Sequence, residues 1–133
     1  LAKSDTKENM FYYIQYAHAR ICSLITKYEE EYSQLPKSAQ SISNGSYKSC
    51  DKLIHEMSKY PNVVARSCSA LQPHLIIFYL KDFAHTFHSF YNDNHVLTES
   101  KENIDSIIYC LCGAKTVISN GLGLLGIKAI EKM

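Results

Sequence analysis

The sequence predicts an all-α fold, a bundle of about five helices. Three observations carry that reading. Apolar residues recur at helical spacing over long stretches, no stretch alternates apolar and polar residues as a half-buried strand does, and turn-forming residues fall between the periodic stretches. With 133 residues, 46% of them hydrophobic and 20% charged, the chain has the length and balance of one globular domain with a single core.

Residues 1–8 are polar and charged and read as the remnant of a linker, leaving 9–133 as the domain. The first helix starts near Asn9, an N-cap residue type, and its core face is Phe11, Ile14, His18, Ile21, Ile25, Tyr28 and Tyr32. Ser33 to Tyr47 is a polar loop broken by Pro36 and Asn44-Gly45. A short second helix, Cys50 to Lys59, buries Leu53, Ile54 and Met57 and stops at Tyr60-Pro61, because the residue before proline avoids helical angles. Pro61 opens a third helix that runs through Leu71, and Pro73 opens a fourth that runs to His95. In the fourth, Ile76, Tyr79, Leu80, Phe83, Phe87 and Phe90 share a face, with His74, Lys81, His85, His88 and Asn92 on the other side. Val96 to Lys101 connects, with Thr98 and Ser100 as cap candidates, and a fifth helix begins near Glu102 and continues through Ile104, Ile108, Leu111, Lys115 and Ile118.

Several function classes are set aside at this level. GLGLLG, Gly121 to Gly126, spells the glycine pattern of a dinucleotide-binding loop, but it ends a helix where that loop must follow a strand. Close helix packing at Gly113, Ala114 and Gly121, with Gly126 as the terminator, explains those residues better. Asp82, His85 and His88 turn through about 240° along a helix and cannot converge on one ion. Glu56-Met57-Ser58-Lys59 lacks the strand context that a synthetase signature loop requires. The five cysteines have no regular spacing and read as reduced thiols in a cytoplasmic setting, Cys110 and Cys112 facing different ways. No apolar run reads as long enough to cross a bilayer. A net charge of +1 excludes bulk attraction to nucleic acid, so any such contact must be built locally.

One local arrangement fits that need. Tyr13, Tyr16 and Arg20 stand at i, i+3 and i+7 on the first helix, on a ridge well away from the core stripe. Two aromatic planes and a guanidinium are what unpaired RNA bases and phosphates require. Two alternatives stand beside it: tyrosines that merely pack on a neighbour with Arg20 solvated, and a protein–protein interaction module whose tyrosine face docks another domain.

The chain also resembles a known family. QYAHARICS (Gln15 to Ser23), LQPHLIIFYLKDFAHTFHSFYN (Leu71 to Asn92) and GLGLLGIKAIEKM (Gly121 to Met133) are similar, in order, to three blocks of the DALR-type anticodon-binding domain of arginyl-tRNA synthetases. The resemblance implies recognition of the tRNA(Arg) anticodon stem-loop, with arginylation by an upstream catalytic domain that uses ATP and Mg, and no cofactor here. It implies that Tyr13, Tyr16, Tyr91 and Met133 hold the loop beside Arg20, with His88 and Asn92 as further RNA-facing candidates and no catalytic residue. A monomeric, cytoplasmic protein is expected. Leu75, His95 and Lys132 depart from arginines usual in the family, which thins the rim of phosphate contacts.

Overall fold

The computed structural model describes residues 7–36, 50–93 and 101–133, and among them five helices and no strand. They are α1 (Lys7–Tyr32), α2 (Asp51–Ser58), α3 (Tyr60–Ala70), α4 (His74–Asp93) and α5 (Lys101–Leu124). The expected all-α bundle is the observed one. Most of the loop from Ser33, together with His95, Thr98 and Ser100, lies outside the described residues. So do residues 1–6, most of the expected linker, while α1 begins at Lys7, two positions before Asn9.

α1 lies against both α4 and α5 and is the wall they share. Its buried stripe is Ile14, Ala17, His18, Ile21, Ile25 and Tyr28, close to the expected face, though Phe11 and Tyr32 are only half-buried. Every residue of the expected α4 face is buried, from Ile76 to Phe90, and Ile77 and Ala84 widen it. Buried tyrosines keep their hydroxyls satisfied across helices. Tyr28 donates to the Asp105 carboxylate, tying α1 to α5, and Tyr79 donates to the Glu56 carbonyl at 2.5 Å, tying α4 to α2.

The α2–α3 break falls at Lys59, not at Tyr60-Pro61. Tyr60 is already helical and Pro61 sits within the first two positions of α3, where its missing N–H costs nothing. The 21-residue stretch Ile104–Leu124 of α5 is, by length and mean hydropathy, long and apolar enough to cross a membrane, which overturns the contrary sequence expectation. Its apolar side is instead spent on the core, with Ile108, Leu111, Ala114, Ile118 and Leu122 fully buried.

Gly121 sets how closely α5 approaches α4. A Cβ there lies 2.9 Å from both methyls of Leu80, a side chain with no exposed surface. The helix then ends on a left-handed residue, Gly126 at φ 75°, with Gly126 N–H bonded to the Gly123 carbonyl and Ile127 N–H to Leu122. These paired bonds satisfy the terminal carbonyls and turn the chain back. α3 ends on the same hydrogen-bond pair, Leu71 to Cys68 and Gln72 to Ser67, but its left-handed residue is Leu71 at φ 54°.

Two substitutions follow. Leu71→Gly relieves a left-handed leucine worth about 1–2 kcal/mol and loses little burial, offset by glycine's extra unfolded-state freedom, so a net gain of roughly 0.5–1 kcal/mol is expected. Gly121→Ala is expected to lose roughly 1 kcal/mol, overpacking against Leu80 outweighing the helix propensity gained. Urea unfolding midpoints of the two variants check both signs.

Candidate nucleic-acid interface

Packing α1 beside α4 brings side chains far apart in sequence onto one aromatic edge. Tyr16 and Arg20 come from α1, one turn apart, and Tyr91 from the last turns of α4. Arg20 lies between the two rings, its guanidinium carbon 4.7 Å from the Tyr16 centroid and 4.2 Å from that of Tyr91. Both distances suit a cation over a π face. Arg20 Nη2 also donates to the Tyr16 hydroxyl at 2.6 Å, which fixes the fork against the ring.

Behind this edge sits a second aromatic layer. His88 stacks on Tyr16 with centroids 5.5 Å apart and planes 25° from parallel, and it meets Tyr13 at 4.9 Å and Phe87 at 5.4 Å. Phe87 in turn braces Tyr91 at 6.1 Å. The ridge expected to be exposed is therefore half-buried, because α4 lies along it. His88 is not on a solvated histidine face: it is wedged beneath Tyr13 and Tyr16, and its Nε2 has no hydrogen-bond partner among the described residues. Burial, helped by the nearby Arg20 and His85 charges, pushes the His88 pKa down to about 4, so the ring is neutral at physiological pH. Burial also raises the Tyr13 phenol above its ordinary value.

Tyr16, Arg20 and Tyr91 open onto a pocket of about 810 Å3 that Lys115, Lys132 and Met133 also line. Met133 reaches it on an extended tail, residues 127–133, with 54% of its surface exposed. The tail runs along α1. Leu125, Ile127 and Ala129 alternate inward onto the core, Gln15 Nε2 donates to the Lys128 carbonyl at 3.2 Å, and His18 Nδ1 donates to the Ile130 carbonyl at 2.8 Å.

Of the residues singled out by sequence, Tyr16, Arg20, Tyr91 and Met133 meet at this pocket. Tyr13 and His88 back it, and Asn92 is exposed on α4 outside its lining. Of the family departures, Leu75 is half-buried and Lys132 lines the pocket. Sequence reasoning missed three contributors. Lys115 is named only as a residue along the fifth helix, where a lone lysine among apolar residues is the available signal. For His18 the signal is a polar ring within an apolar stripe, and Gln15 gave none, because its partner is a main-chain carbonyl more than 100 positions away. Tyr12, one turn before Tyr16, was also passed over and is 61% exposed.

The pocket's described cations, Arg20, Lys27, Lys115 and Lys132, face Glu29, Glu30 and Glu131, so no strong net field gathers there. Among the described residues no group of three His, Cys, Asp or Glu side chains fits a metal ion. Gly121 packs on Leu80 rather than cradling a phosphate.

Aromatic faces and a guanidinium beside an open pocket are the groups on which unpaired bases can stack and hydrogen-bond. The chain belongs to the DALR anticodon binding domain family, whose model matches residues 14–133. It is similar to the arginine–tRNA ligase of Desulforamulus reducens, 38% identical over 134 residues that cover 100% of this chain and 24% of that protein. The arginine–tRNA ligase of Burkholderia mallei is 37% identical over 137 residues, covering 100% and 23%. The fold matches that of Thermus thermophilus arginyl-tRNA synthetase with a TM-score of 0.76 at 24% identity, over 98% of this chain and 22% of that one. The chain thus spans about a quarter of the length of the curated relatives it matches.

His88 gives this site a pH signature. Its folded pKa lies below its unfolded value of 6.5, so the unfolded chain binds the extra proton and stability falls as pH drops from 6.5 towards 4. The full shift corresponds to about 3 kcal/mol, of which partial exposure leaves roughly 1–2 kcal/mol. His88→Phe keeps a neutral stacked ring, and its unfolding free energy is expected to lack this share of the acid dependence when both proteins are titrated from pH 7 to 4.5.

Proposed function

We propose that this chain is the anticodon-reading domain of an arginine–tRNA ligase. It grips the anticodon loop of tRNA(Arg) while another part of the ligase, using ATP and Mg, attaches arginine. The observation that carries the reading is the convergence of Tyr16, Arg20, Tyr91 and Met133 on one pocket, in a chain of this family. On this reading the ligase works as a monomer in the cytoplasm.

The chemistry is recognition, not catalysis. Unstacked bases lie on the Tyr16 and Tyr91 rings, whose backing by His88 and Phe87 means little ring freedom is lost on binding. Arg20, Lys115 and Lys132 supply donors for phosphates and base edges, Arg20 with a planar fork. Met133 closes the rim with an adaptable apolar side chain. Tyr13 and His88 support Tyr16 from behind, and Asn92 offers a polar contact at the edge of the site.

The test is a titration of tRNA(Arg) and a non-cognate tRNA against the full-length ligase, wild type and Tyr91→Ala, at two salt concentrations. A lost base stack of about 1–3 kcal/mol predicts about 5- to 150-fold weaker tRNA(Arg) binding for Tyr91→Ala. Each phosphate contact removed, as in Arg20→Gln, is expected to flatten the logarithmic salt dependence by about 0.7 for single-stranded RNA. Binding that Tyr91→Ala leaves unchanged, or that salt leaves unchanged, overturns the proposal and points to an apolar docking face.

A further inference from the structure

We propose that His18 is a positioning residue, which holds the carboxyl-terminal tail on α1 so that Lys132 and Met133 line the pocket. The inference deepens the anticodon-reading proposal and rests on it for its RNA readout, though not for its tail readout.

His18 is an odd residue for its place. It sits in the middle of the α1 core stripe with 2% of its surface exposed, between Ile14 and Ile21, which have none. A polar ring there needs a partner, since a buried donor left unpaired is destabilising. The partner is the Ile130 carbonyl, 2.8 Å from Nδ1. A carbonyl only accepts, so Nδ1 carries the proton and the tautomer is set by the tail. The Cys22 sulfur lies 3.7 Å from the same nitrogen and 4.0 Å from Nε2, completing the ring's polar surroundings on α1.

The position of this bond along the tail is what gives it a role. Up to Ala129 the tail is held by side chains that alternate into the core, at Leu125, Ile127 and Ala129. Beyond Ile130 the residues Glu131, Lys132 and Met133 are all exposed and have no burial of their own to fix them. The His18 bond is thus the last tether before the residues that line the pocket. Gln15 makes the preceding one, to the Lys128 carbonyl one α1 turn earlier, from an exposed setting. Without that tether the exposed residues 131–133 sample many positions, most of which must be given up when RNA binds. A clamp at Ile130 removes most of that freedom beforehand.

The experiment uses the full-length ligase with His18→Leu, His18→Asn, Gln15→Leu and Met133→Ala, and the His18→Leu/Met133→Ala pair. Asparagine can place a side-chain N–H near the position of the histidine Nδ1, whereas leucine has no donor. The readouts are amide hydrogen exchange of peptides covering 127–133 and tRNA(Arg) affinity. In His18→Leu the tail peptides are expected to exchange faster while α4 and α5 peptides keep their protection, and Kd rises about tenfold. His18→Asn restores tail protection and most of the affinity. Met133→Ala adds almost nothing in the His18→Leu background, because the released tail no longer delivers that side chain. Gln15→Leu, at a surface position that does not threaten folding, shows the same tail exchange in weaker form.

Unchanged tail exchange in His18→Leu and Gln15→Leu overturns the inference. So does full additivity of His18→Leu with Met133→Ala, which means that His18 acts on affinity by another route. Failure of the RNA-reading proposal looks different: Tyr91→Ala binds tRNA normally while the tail still loosens in His18→Leu.

Discussion

The pocket depends on α1 being buried on one side against α4 and α5 at once. Ile14, Ala17 and Ile21 have no exposed surface, and their burial fixes the rotation of α1 about its axis. With that rotation set, its remaining directions follow from helical geometry. One edge carries Tyr13, Tyr16 and Arg20 to α4, and the side bearing Gln15 and His18 meets the tail. A rotation of one residue, about 100°, would strand the aromatic edge in solvent and swing His18 away from Ile130. Gly121 matters for the same reason, since the α4–α5 separation it permits sets where α4 lies beneath α1.

The site follows from packing rather than charge. The chain carries +1 overall, and the carboxylates along the pocket offset most of its cations. What distinguishes the pocket is pre-arranged rings. His88 is held neutral by burial, so it supports Tyr16 as a flat, uncharged plate and does not repel the Arg20 charge. Burial and the arginine therefore act in the same sense on its pKa.

The helical framework was legible in the sequence because each helix buries a stripe wide enough to mark its period. The α4 face from Ile76 to Phe90 and the α1 face from Ile14 to Tyr28 are cases in point. Helix ends were legible where turn chemistry is explicit, as at Gly126, and less so at Leu71, where a leucine occupies a position suited to glycine. The aromatic edge was legible in membership but not in exposure. Angular separation from a stripe says which way a side chain leaves its own helix, and nothing about which neighbour it meets. His88 is misplaced on those grounds, and Lys115, read only as part of the fifth helix, reaches the pocket. Met133 was reached only through the family resemblance, and the tail's course along α1 was not legible: a few extended residues held by main-chain carbonyls carry no period and no residue type that marks the contact.

Arg20 poses the remaining question, since it covers the ring faces that the anticodon-reading proposal assigns to bases. A cation–π contact contributes about 0.5–1 kcal/mol when exposed and about 2 kcal/mol when desolvated, against about 1–3 kcal/mol for a stacked base. On that proposal a base exchanges with the guanidinium on the Tyr91 face at little net cost, and the exchange is favoured by what the freed guanidinium then contacts. The hydrogen bond to the Tyr16 hydroxyl need not break in the exchange, because a guanidinium has five N–H groups and that bond uses one. Arg20 can pivot about it and turn its other donors to a phosphate or a base edge. Before RNA arrives, the same side chain keeps both rings apart and covered, so that the site neither collapses onto itself nor exposes two bare aromatic faces to water. On the anticodon-reading proposal, one residue thus braces the empty pocket and becomes a contact in the filled one.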